Sequence, residues 1–242
     1  MKKIKLPHLL AGILASASIM TAGSVQATEL LTNGNFETGS FAGWTVTDLA
    51  GGTGSWFIDT PGTTSPVSTF ATAANATGGS FYAVTDQTGP GTHALAQSFT
   101  IAAGASSVIF SFQMFANDQS GVPGVNAAGL DHTAIPNQHS RVDLLTGAAT
   151  AFDTGAGVLA NFYLGSDGSL TASPYTSYSF DITALVAAGG TYQVRFAETD
   201  NQLFYHMGVD NVSVTAQVPE PATLALLGLG LMGLAAARRR TH

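Results

Sequence analysis

The sequence predicts an all-β fold, a jelly-roll β-sandwich with long loops and one short helix. Short alternating or continuously apolar segments recur through residues 28–217. Tight-turn residues separate them, as at Asn33-Gly34, Gly51-Gly52, Gly89-Pro90-Gly91 and Gly189-Gly190. The strand–helix alternation that a parallel α/β sheet requires does not occur.

Nine segments read as strands: residues 43–48, 55–59, 80–86, 93–101, 107–115, 139–146, 177–182, 191–199 and 207–216. Val, Ile, Phe, Tyr and Thr at every second position in most of them suit a half-buried pleated surface. Residues 182–188 read as the one helix, opened by Asp181 as N-cap and closed by Gly189. Two long connections, 60–79 and 117–138, exceed the usual loop length and are where function is expected to concentrate.

The ends of the chain differ from its body. Lys2, Lys3 and Lys5 precede an apolar stretch from Leu9 to Ala22 and the small-residue site Val25-Gln26-Ala27, the pattern of a signal peptide over 1–27. At the other end, 218–242, Val218-Pro219-Glu220-Pro221 is followed by an uncharged apolar run from Ala222 to Ala237 and then by Arg238, Arg239 and Arg240. As a helix the run would be about 24 Å long against a hydrocarbon core of about 30 Å, a marginal transmembrane helix. The arginines would stop transfer and keep the C-terminus cytoplasmic.

The body between these ends, residues 28–217, is one domain by length. It holds 2 basic residues, Arg141 and Arg195, against 14 acidic ones, a net charge of about −12. Nucleic acid and anionic membrane surfaces are excluded as partners because both need clustered Lys or Arg. Cysteine is absent, so no disulfide holds the exported body together. Core packing, with help from a divalent cation, is the alternative.

The tail, Pro219-Glu220-Pro221 then a short apolar helix then an arginine cluster, resembles the PEP-CTERM sorting segment of Gram-negative bacteria. The resemblance implies recognition and removal by an exosortase in the inner membrane, delivery to the cell surface or beyond, and association with exopolysaccharide and biofilm. An ordinary single-pass anchor is the competing reading. Within the body, Leu30 to Glu37 with Gly43-Trp44 is similar to the opening of galactose-binding-like domains, which include many carbohydrate-binding modules. Val209 to Val214 is similar to their closing strand, and the middle of the chain resembles the bodies of other PEP-CTERM exoproteins.

Calcium is the first candidate ligand, since it takes six to eight oxygens from carboxylates, amides and carbonyls. The resemblance implies a structural calcium held by Glu37 and Asp210, with Asn33 and Asn35 as helpers; the alternative is a turn with solvated carboxylates. A second acidic group, Asn117-Asp118 with Asp131 and Asp143, would either hold a cation or pair with Arg141. Arg195 is expected beside Glu198 or Asp200. Sugar binding needs exposed rings beside polar groups, and Trp56, Tyr163, Tyr175, Phe204 and Tyr205 are its candidates, whereas Trp44, Phe110 and Phe112 read as core. His132, His139 and Asp131 are a weak transition-metal set. Esterase, zinc-hydrolase, phosphate-loop and cysteine-nucleophile motifs are all lacking, so the expected role is non-catalytic: a surface or matrix protein, or a carbohydrate-binding module.

Overall fold

The computed structural model describes residues 27–73, 78–121, 124–165 and 173–217, together with Gly230 and Gly233. The signal segment, and the sorting tail apart from those two glycines, therefore lie outside the described residues. Among the described residues no helix is long and apolar enough to cross a membrane.

Eleven strands form two antiparallel sheets. One sheet contains β3 (Ser55–Asp59), β4 (Tyr82–Asp86), β11 (Tyr205–Gln217), β6 (Ser107–Asp118) and β9 (Thr176–Asp181) in that order, with β1 (Ala27–Glu29) paired to the far end of β11. The other runs β2 (Thr45–Asp48), β5 (Gly91–Ile101), β10 (Gly190–Asp200), β7 (His139–Thr146) and β8 (Val158–Gly165). The sheets pack face to face as a jelly-roll sandwich. Every expected strand is present, and the sequence reading missed two. β1 has only three residues, and β8 is a half-exposed edge strand, broken by two register shifts against β7, whose apolar residues follow no clean alternation. Helix α1 is short, Thr183–Val186. Asp181 precedes its N-cap, Ile182, and accepts from the Thr183 amide at 2.9 Å, while Gly189 closes the turn in the left-handed region, φ 71°.

The core follows from strand parity. Leu95, Val142, Leu144, Val194 and Phe196 point inward from one sheet, and Phe110, Phe112, Met114, Met207, Val209 and Val214 from the other. Trp44, Phe110 and Phe112 are core, as the sequence implies. Aromatic edges and faces interlock across the gap: Phe112 packs on Phe196 at 5.2 Å and Trp44 on Phe196 at 6.2 Å. Each such side chain contributes about 1.5–3 kcal/mol by leaving water.

The outer faces of the sheets are covered too. On the six-stranded sheet, Ala73 of the first long loop packs with Tyr82, Val84 and Phe115. The Asp86 carboxylate holds that loop by accepting from the amides of Val67 and Ser68 at 2.6 and 2.9 Å. Over the five-stranded sheet, Leu130 from the second long loop packs on Ala94 and Ala197, with Phe152 alongside. Asn137 and Asn201 fix that loop through its carbonyls. The described parts of both loops thus act as covers, bonded to the sheets at several points.

On the same outer face lies, among the described residues, the one ionic cluster that uses arginine. Arg141 is bidentate to Asp143, with both distances 2.8 Å. Arg195 donates to the same carboxylate through Nε at 3.1 Å and to the carbonyls of Ala151 and Asp153. Pairing of Asp143 with Arg141 is the arrangement the sequence favours. The expected pairing of Arg195 with Glu198 or Asp200 is corrected: Arg195 sits on the outer face of β10, and the inward faces of Val194 and Phe196 continue through Glu198 and Asp200. Parity separates i from i+3 and i+5 along a strand. Substituting Asp143→Ala strands two buried guanidinium groups and is expected to lower stability by about 3–5 kcal/mol, read as a lower urea midpoint; an unchanged midpoint refutes that role.

Candidate functional site

Three groups of polar residues qualify as sites, and the first is where the chain's opening and closing segments meet. Val212 donates to the Gly34 carbonyl at 2.8 Å, and the backbones approach so closely that a Cβ on Gly34 would lie 1.8 Å from the Val212 carbonyl oxygen. Asn33, Phe36 and Asn211 all adopt left-handed φ of 51–55°, so three of the four non-glycine left-handed residues among those described cluster here. Glu29 clamps the same junction, accepting from the amides of Leu31 and Val214 at 2.9 Å each.

The expected calcium ligands are distributed around this junction. Glu37 Oε1 accepts from the amides of Ser80 and Phe81 at 2.8 and 3.0 Å, and a Cβ on Gly79 would lie 2.4 Å from it. Asp210 is buried, with Oδ1 accepting from the Asn211 amide at 2.7 Å. Burial, and then the charge of Glu37, push the Asp210 pKa up to about 7. Asn33 and Asn35 line a cleft of about 320 Å³ that neither Glu37 nor Asp210 lines. The Asn33 side chain closes its own loop by bonding Thr38 and Ser40, and Asn35 accepts from the Glu37 amide. Among the described residues no three Asp, Glu or His side chains converge on a metal position. A cation here would rest on two carboxylates supplemented by carbonyl and amide oxygens. His132, His139 and Asp131 do not converge either; Asp131 instead bonds the amide and hydroxyl of Thr133.

The aromatic set does not form one platform. Trp56 and Tyr205 are 3% and 0% exposed and belong to the main core, which corrects their assignment as sugar-stacking residues. Both sit on strands whose alternation turns them inward with Ile58 and Met207. Tyr175 lies over the outer face of the six-stranded sheet, edge-on to Phe115 at 5.0 Å, with its hydroxyl buried. Tyr163 and Phe204 are half-buried and border separate clefts of about 210 and 270 Å³. Phe204 also packs on Phe70 at 4.9 Å.

The third group was not foreseen from the sequence. At the end of the sandwich where β10 runs out and β11 begins, inward positions become polar: Glu198 and Asp200 from β10, His93 from β5, Ser140 from β7, Asp118 and Tyr205 from β6 and β11, and Thr85 from β4. Burial, and then the charge of Asp200, raise the Glu198 pKa well above the ordinary carboxylate range; Asp200 is pushed up to about 7, chiefly by burial. His93 bonds Asp48 at 2.7 Å, yet burial keeps its pKa below normal. Asp86, by contrast, is buried but held below the usual range by hydrogen bonds from His206, Ser68 and two amides. The available sequence signal was parity: Val194, Phe196, Glu198 and Asp200 share one face.

Residues 217–240 match a model of the PEP-CTERM protein-sorting motif. The chain carries a PEP-CTERM tail. That tail implies an exported protein processed by an exosortase at the membrane. No curated protein matches the sequence. Solved structures similar to the PEP-CTERM body include the carbohydrate-binding module TmCBM61 in complex with β-1,4-galactotriose, at 12% identity over 77% of this chain and 97% of that one, TM-score 0.45. A Stig cyclase from Fischerella sp. TAU is similar at 16% identity over 81% and 100%, TM-score 0.47. The K1 cleaved adhesin domain of Lys-gingipain from Porphyromonas gingivalis W83 follows at 13% identity over 81% and 99%, TM-score 0.41. Likenesses of this size say nothing about ligand or activity.

The raised carboxyls predict a pH dependence. Asp200 and Asp210 keep their protons in the fold up to about pH 7 and lose them near pH 4 when unfolded, so each removes stability as pH rises from about 4 to 7. His139, whose pKa burial lowers to about 4, acts oppositely between about 4 and 6.5. Asp210→Asn is expected to make the dependence of unfolding free energy on pH more positive by about 1.4 kcal/mol per pH unit between pH 5 and 6.5 in chelator. Parallel curves for the two proteins would refute the buried, protonated Asp210.

Proposed function

We propose that this protein is exported through the signal peptide at 1–27, held briefly in the inner membrane by its tail, and released at the Val218–Pro221 motif by an exosortase. It then serves as a non-catalytic component of the cell surface or extracellular matrix, associated with exopolysaccharide and biofilm. The observation that carries this reading is the sorting motif at 217–240 following a sandwich whose aromatic residues are all buried or half-buried. Arg238, Arg239 and Arg240 stop transfer and set the orientation in the membrane. A calcium ion between Glu37 and Asp210, with oxygens of Asn33 and Asn35, would stabilise the closure of the sandwich by linkage and offset the repulsion between those two carboxylates.

A second reading is binding of exopolysaccharide at the loop ends. It is favoured by Phe204 and Tyr163, which border clefts beside Asp200, Asn201 and Ser173. Retention on exopolysaccharide from the producing cells that falls for Phe204→Ala or Tyr163→Ala would support it, and equal retention of the wild type and both variants would discard it.

Intact-mass measurement of the protein released by its native cells tests the main reading. The expected mass lacks residues 1–27 and the run from Ala222 to Arg240, and replacing Pro219, Glu220 and Pro221 by alanine leaves the chain in the membrane fraction. A released wild-type protein that retains Ala222–Arg240 overturns the processing step. For calcium, the melting temperature is expected to rise in millimolar Ca²⁺ by an amount that Glu37→Gln reduces.

A further inference from the structure

The three most exposed large apolar side chains among the described residues are Ile135, Leu203 and Val125, at 72, 57 and 52%. They come from two segments far apart in sequence, the second long loop and the turn between β10 and β11, and hydrogen bonds hold those segments together. Asn201 Nδ2 donates to the Ala134 carbonyl at 3.0 Å, and Asn201 Oδ1 accepts from the Asn137 amide at 2.7 Å. Gln138 Oε1 accepts from the Gln202 amide at 2.9 Å, next to Leu203. Val125 is seated by the same residues: Gly124 bridges Gln138 through both backbone groups, and Asn126 donates its amide to Asn137 Oδ1 at 3.2 Å. Asn137 and Gln138 are fully buried. The lip that these segments form is therefore fixed from within, and the exposure of its apolar side chains is a property of the fold.

Leu203 also borders the cleft of about 270 Å³ that Thr88, Pro90 and Phe204 line. Knob and socket thus lie side by side. Charge is scarce here among the described residues: Asp118, Glu198 and Asp200 are buried, Asp131 is turned to the amide and hydroxyl of Thr133, and Asp48 to His93 and Ser55. The body's net charge is about −12, so two copies repel one another over most of their surface. Contact is least opposed where that charge is absent. Across a two-fold axis the same patch faces itself, which an acidic patch resists and an apolar one favours. Ala27 and Gln217 pair at the opposite end of β11, so neither export segment leaves the sandwich beside the lip.

We propose that this lip is a self-association surface, on which a second copy of the chain docks about a two-fold axis and each copy buries Ile135 and Leu203 against the lip and cleft of the other. Exposed apolar groups gathered at one place mark interaction sites, whereas singly scattered ones are ordinary surface. An apolar centre with an uncharged polar rim, here Thr88, Asn201 and Gln202, is the usual composition of such a contact. The inference goes beyond the surface or matrix role and does not depend on processing of the tail. A copy seated in the cleft excludes a sugar from it.

The test is sedimentation equilibrium of the exported protein over a range of concentrations and salt. Expected is a monomer–dimer equilibrium that tightens as salt screens the net charge, with a dissociation constant raised at least about tenfold by Leu203→Glu or Ile135→Glu. Leu185→Glu adds the same charge on α1, which bonds the β6 end farthest from the lip, and is expected to leave the constant within about twofold. All three positions are exposed, so melts recorded at dilution should match the wild type and separate lost docking from lost folding. A wild type that stays monomeric at every concentration and salt overturns the proposal. So does a dimer that Leu185→Glu weakens as much as the lip variants do, or one that salt dissociates, since polar pairs would then hold it. A dimer formed equally well by a chain that keeps its tail supports the surface while refuting the processing step, so the two readings fail separately.

Discussion

The constraint on which the rest of the structure depends is a shortage of positive charge. The body contains two arginines and no lysine, and both arginines converge on Asp143. Every other buried carboxylate is accommodated without a guanidinium or ammonium group. Asp86 is satisfied by backbone amides and His206; Asp118 by Gln138 and Ser120; Asp210 and Asp200 by one amide each and a raised affinity for protons. Glu198 is fully buried, with Thr85 as its polar neighbour, and burial and then the charge of Asp200 raise its affinity for a proton. A chain with so few cations and so many buried acids is poised to respond to protons.

The same hydrogen bonds tie the described parts of the covering loops to the fold. A long polar loop has no apolar core of its own, so it needs backbone groups bonded to something rigid. Asp86 does this for the first loop, and Asn137 and Asn201 do it for the second. Carboxylates and amides thus act as acceptors and donors for backbone, a role in which a small polar side chain substitutes for a ladder neighbour.

Much of the strand order along the chain was legible because period-2 alternation and turn chemistry are local signals. β1 and β8 escaped because three residues are too few for a pattern and because an edge strand that also carries Leu159 and Leu164 on its exposed side shows no clean apolar alternation. Candidate-site residues were less legible. The opening and closing segments that carry Asn33, Glu37 and Asp210 meet where Val212 donates to the Gly34 carbonyl, but Asn33 lines a cleft that neither acid lines. Trp56 and Tyr205 were misread as exposed: both lie close to loops in the sequence, but the strand turns both rings into the core. Arg195 was misassigned for a related reason, since closeness in sequence to Glu198 is not closeness in space when the two lie on opposite faces of one strand.

By itself the sequence determined the PEP-CTERM tail, the all-β class, the absence of disulfides and the acidic charge, because each is carried by composition or by residues adjacent in the chain. The tertiary structure alone decided which acids are buried, which pair with arginine and which are left unpartnered. That outcome depends on the pairing of β10 with β5 and β7 and of β11 with β6, and on how two covers close over the sheets. Sequence distance does not encode these relations, because the paired residues lie 46 or more positions apart, on strands that only folding brings into contact.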